Sequence, residues 1–333
     1  MRIIIMETGD FGVPAVEALL RSNHEILGLI TRPVRYNRGG NPLPDPKVAL
    51  LAEEFGVPIY RFPKIKAPEA VETIRALEAD IFFICDYGQI LSPDGIKSTR
   101  LGGVNLHGSL LPRYRGAAPV QWAVYNGDKV SGISVLHVTP EVDAGPVMET
   151  LELPIDDAWT AADLEYELSK IGVQPVLNAI RALELDENQI HKSVPQNPLD
   201  ASGAPKLRKE MSFVDWNRSA VEIRNQVRAF EPWPRTRTTW RRSEKKPPLE
   251  LILLPIPQAI DAASAGYSLP EGTRPGTVLR ADSVVDVATG SGILRISDLQ
   301  PANKKPMSAA EFLRGYPLTL GTILGDSDPP TNK

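Results

Sequence analysis

The chain has 333 residues, of which 42% are hydrophobic and 23% are charged, and its formal net charge at pH 7 is −4. This is an ordinary globular composition, and the length is sufficient for two domains with separate cores. The single cysteine, Cys85, excludes an internal disulfide framework and a cysteine-rich zinc site, and it favours a cytoplasmic location. The apolar N-terminal run is too short for a signal peptide, and no apolar run predicts a transmembrane helix.

The first half of the chain is predicted to alternate between strands and helices. Apolar runs predict strands at residues 2–6, 25–31 and 80–85. Helical patterns predict helices at residues 12–21, 47–55 and 67–78, with a loop over residues 32–46. Such βαβ units predict an α/β fold with a doubly wound, mainly parallel sheet, in which ligands lie at the carboxyl ends of the strands.

The second half changes in character after a predicted long amphipathic helix over residues 161–185. Residues 186–211 are polar and contain three prolines, which is typical of a linker. A helix at residues 219–230 and short β-type segments follow, and they predict a small all-β open barrel. The predicted organisation is an α/β domain (1–185), a linker (186–211), a β-barrel domain (212–325) and a disordered tail (326–333).

Residues 103–119 contain the strongest candidate catalytic pattern. Side chains two positions apart on a strand leave the same face, so Asn105 and His107 are predicted to point together into one cleft. An amide can donate to the oxyanion of a tetrahedral intermediate while an imidazole moves protons, and both are needed for acyl transfer. Asp143, in a predicted turn, is expected to complete the site. Without this context, an Asn-x-His pair is more often satisfied by the backbone.

Several segments together resemble the 10-formyltetrahydrofolate-dependent formyltransferase family. They are Asn105–Gly116 (Asn-Leu-His-Gly-Ser-Leu-Leu-Pro-Arg-Tyr-Arg-Gly), Asp143–Gly145 and Asp86–Leu91 in the first half, and Val214–Trp216, Arg228–Pro234 and Leu299–Ser308 in the second. The later segments resemble the branch of the family that formylates methionyl-tRNA. The resemblance covers nearly the whole chain and implies a Rossmann-like formyltransferase domain followed by an OB-like domain.

The resemblance implies transfer of a formyl group from 10-formyltetrahydrofolate to the α-amine of methionyl initiator tRNA. Asn105, His107 and Asp143 would be catalytic, and no metal is expected. The implied folate-binding residues are Asp86, Tyr87, Gly88, Gln89, Ile90, Leu91, Ser109, Leu110, Leu111 and Pro112. Two alternatives stay open at this point: a sugar-amine N-formyltransferase that uses the same folate donor, and a catalytically inactive RNA-binding homologue.

The chain departs from the family pattern at three positions near the predicted folate site and in the basic loop over residues 32–46. That loop has Gly40-Asn41-Pro42 where the family usually has a lysine pair. Glu7 and Gly9 stand in a turn that usually reads Gly-Thr-Pro, and Asp86 stands where the family commonly has alanine before Tyr-Gly. Asp86 therefore places an ionisable group near the expected site of the pterin ring. In the alternative of an inactive RNA-binding homologue, Glu7 or Asp86 would prevent folate from binding.

The charge distribution has two explanations, contact of the second half with a polyanion or ordinary solvation of its basic side chains. The first 200 residues are net acidic, whereas the chain from residue 201 onward is net basic. The predicted tRNA-binding residues of the first half are Arg35 and Arg38, on the basic loop, which the family resemblance implies inserts toward the acceptor stem, with Arg38 as the main candidate. In the second half they are Lys206, Arg208, Lys209, Arg237, Lys304 and Lys305, through sequence-independent phosphate contacts; the alternative is that about half of these basic side chains are only solvated. The predicted partners are methionyl initiator tRNA and folate, with no membrane, and the chain is expected to be a monomer.

Overall fold

The computed structural model describes residues 1–188, 192–255, 257–261, 266–267 and 272–325. The predicted tail at 326–333 lies outside these residues. Contacts between residues divide the chain into two compact units. The first consists of Met1–Pro119, Val130–Pro154 and Leu164–Pro205, and the second of Val120–Lys129, Ile155–Asp163 and the chain from Lys206 onward.

The first unit contains a seven-stranded sheet with the order β3-β2-β1-β4-β5-β6-β7. Its strands are β1 (Arg2–Glu7), β2 (Glu25–Thr31), β3 (Ile59–Arg61), β4 (Ile81–Cys85), β5 (Gly103–His107), β6 (Val130–His137) and β7 (Val147–Pro154). The first five strands pair in parallel, and β6 pairs antiparallel with both β5 and β7. The mainly parallel α/β fold predicted from the sequence is confirmed.

Helices separate the strands. They are α1 (Val13–Leu20), α2 (Lys47–Glu54), α3 (Pro68–Ala76), α4 (Pro93–Ile96), α5 (Pro119–Asn126), α6 (Ala161–Ile171) and α7 (Val173–Leu185). Ile4 of β1 packs with Ile74 of α3 on one face of the sheet, while Ile3 and Ile5, on the other face, are equally buried. Burial of both faces is the reason that these strands read as continuous apolar runs.

The prediction of one helix over residues 161–185 was wrong. Gly172 separates α6 from α7, and a β-carbon at this position would lie 3.0 Å from the Leu106 side chain of β5. Both helices present an apolar stripe, so the periodicity continues across the break. The close approach to β5 is a tertiary feature that this pattern does not show.

The strand order reverses between β1 and β4, because β2 and β3 lie on one side of β1 while β4 and β5 lie on the other. In open α/β sheets, the crevice outside the carboxyl ends of the strands at such a reversal is the usual ligand site. Glu7 ends β1, Asp86 follows β4, and His107 ends β5. The fold therefore gathers these side chains at one edge of the sheet.

The second unit includes most of α5, and from Lys206 onward it is an antiparallel β domain, as the all-β segments predicted. Its elements are α8 (Ala220–Ala229), β8 (Arg237–Trp240), β9 (Leu249–Leu253), β10 (Gln258–Ile260), β11 (Val278–Ala281), β12 (Val285–Ala288), β13 (Ile293–Ile296), β14 (Asp298–Pro301), β15 (Met307–Ser308) and α9 (Ala309–Gly315). Two four-stranded sheets, β10-β13-β12-β11 and β15-β14-β9-β8, share one hydrophobic core that includes Trp240, Leu294 and Phe312. Among the described residues, no helix is both long enough and apolar enough to cross a membrane.

Candidate active site

Strand β5 carries the two side chains at the centre of the candidate site. Asn105 is half-buried and His107 is buried. The His107 Nε2 atom lies 2.9 Å from the carbonyl oxygen of Tyr114. A carbonyl can only accept a hydrogen bond, so Nε2 carries a proton, and the neutral imidazole keeps its lone pair on Nδ1. Nδ1 is thus the nitrogen that is able to gain and lose a proton.

Asp143 approaches both of these side chains. Its Oδ2 atom lies 3.6 Å from His107 Nδ1, and its Oδ1 atom accepts a hydrogen bond from Asn105 Nδ2 at 3.3 Å. The backbone N–H of Gly116 donates to Oδ2 at 2.9 Å. The structure therefore brings the three predicted catalytic residues together, with the carboxylate held between the amide and the imidazole.

The backbone of Asp143 adopts a left-handed conformation with φ of +51°. This conformation is uncommon for a residue with a side chain, and it persists where surrounding contacts hold it. Gly145, two residues later, passes so close to the carbonyl oxygen of His137 that a β-carbon would overlap it. The turn that presents Asp143 is thus fixed by close packing against the end of β6.

The predicted folate-binding residues 109–112 form the turn that leaves β5. Ser109 Oγ donates to the carbonyl of Arg113 at 2.6 Å. Ser134 Oγ of β6 donates to the carbonyl of Ser109 at 2.8 Å and accepts from the N–H of Leu111 at 3.0 Å. These bonds tie the turn to the neighbouring strand, so that Leu110, Leu111 and Pro112 are half-buried beside the candidate site.

The predicted folate-binding residues 86–91 follow β4, which pairs with β5 through Ile84 and Asn105. The side chains of Tyr87 and Leu91 are buried in the core, and Gln89 bonds to the backbone of Phe62 and Ile65. Those side chains stabilise the segment. Asp86, Gly88 and Ile90 are exposed, so the surface of this segment consists of the Asp86 carboxylate, backbone and the Ile90 side chain.

Asp86 has features of a functional residue. It adopts a φ of +40°, and none of the described residues forms a hydrogen bond or ion pair with its carboxylate. Desolvation and the nearby Asp10 raise the pKa of Asp86 above its usual value. The carboxyl group covers Gly9 so closely that a β-carbon there would overlap it. The departures from the family pattern at positions 9 and 86 are therefore sterically matched.

Glu7 is fully buried at the end of β1. The nearest donors, the Cys85 thiol and the N–H groups of Gly9 and Gly12, do not reach its carboxyl oxygens in hydrogen-bond geometry within the described part of the chain. Burial and the neighbouring Asp86 raise the pKa of Glu7 well above its usual value. A β-carbon at Gly12 would overlap this carboxyl group, so a glycine at that position accommodates Glu7.

Sequence reasoning missed three residues that contact the site. Tyr114 supplies the carbonyl that fixes His107, Gln196 bonds to the Asp143 loop, and Ser202 bonds to the Tyr114 backbone. Gln196 and Ser202 lie in the segment that was predicted to be a linker, where the polar composition gave no indication of these contacts. Over the part of the chain that the structure describes, no three His, Cys, Asp or Glu side chains form a group able to hold a metal ion.

The predicted tRNA-binding residues differ in their surroundings. Arg35 and Arg38 lie on an exposed loop that folds back on itself through a bridge between Tyr36 and Pro42. Five other predicted residues are also exposed: Lys206, Arg208, Lys209, Lys304 and Lys305. Arg237 is half-buried and paired with Glu250 at 2.9 Å.

Two regions of the sequence match domains of one family. Residues 1–180 match the formyl transferase family, and residues 206–317 match the formyl transferase C-terminal domain. The chain belongs to the formyl transferase family. The resemblance noted from the sequence motifs is thereby confirmed.

Similar proteins include two curated members of this family. A methionyl-tRNA formyltransferase from Rhodopirellula baltica is 40% identical, over 97% of this chain and 96% of the relative. A methionyl-tRNA formyltransferase from Trichlorobacter lovleyi is 35% identical over the same shares of the two chains. Among solved structures, the sugar 3N-formyl transferase WlaRD, in the presence of dTDP and 5-N-formyl-THF, is 19% identical with a TM-score of 0.57. That match covers 92% of this chain and 99% of WlaRD and shows a shared fold.

Proposed function

We propose that this formyl transferase moves the formyl group of 10-formyltetrahydrofolate to the α-amine of methionyl initiator tRNA. The observation that carries the proposal is the meeting of Asn105, His107 and Asp143 within hydrogen-bonding and ion-pairing distance at the sheet edge. Identity with methionyl-tRNA formyltransferases along nearly the whole chain supports this acceptor. A cytoplasmic location is consistent with the free thiol of Cys85.

The reaction requires stabilisation of one negative charge. The neutral methionyl amine attacks the formyl carbon, and the carbonyl oxygen becomes an oxyanion in the tetrahedral intermediate. Asn105 Nδ2 has one N–H directed toward Asp143 and a second one available to donate to that oxyanion. Donation to a charge that develops only in the transition state lowers the barrier without tightening substrate binding.

The reaction also requires movement of one proton. The attacking nitrogen must lose a proton, and N10 of the folate must gain one before the bond between carbon and N10 breaks. His107 Nδ1 serves this transfer, because Nε2 is committed to the Tyr114 carbonyl. Asp143 orients the imidazole and stabilises its charged form, with the Gly116 N–H holding the carboxylate in place. The products are formylmethionyl-tRNA and tetrahydrofolate.

The donor and the acceptor bind on different elements in this proposal. The pterin ring, which carries donors and acceptors on its edge, would contact the backbone of residues 86–91 and the turn at 109–112. The exposed basic side chains, Arg35, Arg38, Lys206, Arg208, Lys209, Lys304 and Lys305, would contact tRNA phosphates. Arg237 would do so only by giving up its pair with Glu250. The monomeric state stays a prediction.

The test is an acceptor comparison with radiolabelled 10-formyltetrahydrofolate as donor. The purified chain is mixed with methionyl initiator tRNA in one reaction and with a dTDP-linked amino sugar in the other. We expect label on the tRNA and none on the sugar. Label on the sugar alone would favour a sugar-amine formyltransferase, and tRNA binding without transfer to either acceptor would favour an inactive homologue.

A further inference from the structure

A segment that follows α7 contacts two loops of the candidate site, the loop after β5 and the loop that contains Asp143. We call residues 194–204 the strap. It begins with Val194, which exchanges backbone hydrogen bonds with Val147 of β7 at 2.8 and 2.9 Å. It ends with Ala204, whose N–H donates to the Arg115 carbonyl at 2.6 Å and whose carbonyl accepts from Ala118 at 3.1 Å. Both ends of the strap are therefore bonded to the first unit, while residues 197–201 between them are exposed.

Gln196 is the residue of the strap that contacts the Asp143 loop. Its Nε2 atom donates to the carbonyl of Asp143 at 2.7 Å and to the carbonyl of Gly145 at 2.8 Å. Its Oε1 atom accepts from Arg115 Nε at 2.9 Å. Both donors and the acceptor of one half-buried amide are thus used, and they join the Asp143 loop to the loop after β5.

Ser202 and Ala204 contact the loop on the other side of His107. Ser202 Oγ accepts from the N–H of Tyr114 at 2.9 Å, and the Ser202 carbonyl accepts from the N–H of Arg115 at 2.8 Å. Tyr114 itself has a φ of +61°, and its carbonyl oxygen accepts the hydrogen bond from His107 Nε2. The residues on both sides of the imidazole ring, Tyr114 and Asp143, are therefore held by the strap.

Both held residues have backbone conformations that are unfavourable for a residue with a side chain. Such conformations persist only when neighbouring contacts stabilise them. Gln196 bonds directly to the carbonyl of Asp143, so the loss of its amide would free the peptide that sets the direction of the carboxylate. Displacement of a catalytic group by about 1 Å is sufficient to slow a reaction by about a hundredfold.

We propose that Gln196 is a positioning residue for formyl transfer, acting through the backbone of Asp143 to direct the carboxylate at His107. The inference rests on the proposed roles of His107 and Asp143. It assigns a function to a segment with the composition of a linker, and it makes the strap part of the site. Gln196 itself does not contact His107.

The test is Gln196→Met, which retains the length of the side chain and removes all three hydrogen bonds. The matched control is Gln174→Met on α7, where the exposed amide bonds to Asn178. We expect kcat of the Gln196 variant to fall about ten- to hundredfold, with KM for both substrates within about twofold of the parent. Parental kcat in the Gln196 variant would overturn the inference.

A double-mutant comparison separates positioning from general loss of structure. Gln196→Met is combined with Asp143→Asn, and single-turnover rates are measured for all four proteins. We expect Gln196→Met to have little further effect once the Asp143 carboxylate is absent, because the two residues act as a unit. An equal fold-loss in both backgrounds would overturn the inference and indicate a merely structural role.

A second variant covers the case in which Gln196→Met does not fold. Ser202 is exposed, so Ser202→Ala removes only the acceptor for the Tyr114 N–H. We expect kcat to fall several-fold with KM unchanged. No change in kcat would contradict the claim that the strap positions the residues around His107. Failure of the parent chain to formylate any acceptor would instead overturn the proposed function, and this inference with it.

Discussion

At the scale of single residues, the hydrogen bonds that His107 and Asn105 already make within the protein determine which of their atoms are available to a substrate. The Tyr114 carbonyl fixes the proton of His107 on Nε2 and leaves Nδ1 toward Asp143. Asn105 retains one N–H after its bond to Asp143. The Asp143 carboxylate therefore lies between the Asn105 amide and Nδ1 of His107, the two kinds of group that acyl transfer to an amine requires.

Glu7 provides a prediction on pH and stability. Its folded-state pKa is raised by burial and by Asp86, whereas its unfolded value is about 4.5. Above that pH the unfolded chain releases a proton that the folded chain retains, so the free energy of unfolding falls as pH rises toward the folded pKa. We expect Glu7→Gln to become more stable relative to the parent over this range, by up to about 1.4 kcal/mol per pH unit.

Urea denaturation between pH 5 and pH 8 measures this effect. Glu53→Gln is a suitable control, because Glu53 is an exposed carboxylate on α2. The stabilities of the control and the parent should change in parallel with pH. If Glu7→Gln also followed the parent at every pH, Glu7 would not be the protonated carboxyl group that its burial implies.

At the scale of elements, apolar runs located β1, β2 and β4 closely, whereas the short strand β3 was not predicted. The predicted strand at 25–31 is observed with the same bounds, and the strands predicted at 2–6 and 80–85 differ from β1 and β4 by one residue at one end. Those runs are long and buried on both faces, so local pattern and tertiary structure agree. The one-residue break between α6 and α7 at Gly172 was missed because the apolar periodicity continues across it.

The candidate site was predictable only in part. Asn105 and His107 could be paired from their spacing on a strand, and Asp143 from the family pattern. Gln196 and Ser202 could not be predicted. Gln196 lies about 50 residues from Asp143 along the chain, and Ser202 lies about 90 residues from Tyr114. Their surrounding sequence lacks the periodicity that marks a helix or strand, so nothing local indicates that it packs.

Helix α8 provides a prediction at this scale. Ser219 caps its N-terminus, accepting from the Glu222 N–H at 3.2 Å, while Glu222 accepts from the Ser219 N–H at 2.9 Å. We expect Ser219→Ala to lower the free energy of unfolding by about 1 kcal/mol, because backbone donors at the helix start lose their partner. Ser219→Asn, which retains a capping side chain, should remain close to the parent in a denaturant titration. Equal losses in the two variants would contradict this role.

At the scale of the whole molecule, the two parts of the sequence differ in net charge. The acidic first part carries the candidate site, and the chain from residue 201 onward is net basic. The first part also contains an exposed loop with two arginines, Arg35 and Arg38. This loop is therefore expected to contact the anionic acceptor, whereas the small folate donor requires no such contact.

Arg38→Ala tests the loop. We expect kcat/KM for methionyl initiator tRNA to fall, with KM for the folate donor unchanged, because a phosphate contact is lost. The slope of log(kcat/KM) against log salt should become shallower by about 0.7 to 0.9 for one phosphate. Arg75→Ala, an exposed arginine on α3, serves as the control. An unchanged salt slope in the Arg38 variant would assign the contact to another residue.

The central claim is that Asn105 and His107 perform formyl transfer at the sheet edge. Its most direct test is the single-turnover rate of formyl transfer from 10-formyltetrahydrofolate to methionyl initiator tRNA, measured for the parent, Asn105→Ala and His107→Ala. We predict that each substitution lowers the rate by at least about a hundredfold, the usual effect of losing an oxyanion donor or a proton-transfer group, while tRNA affinity is retained. A rate close to that of the parent in either variant would contradict the account.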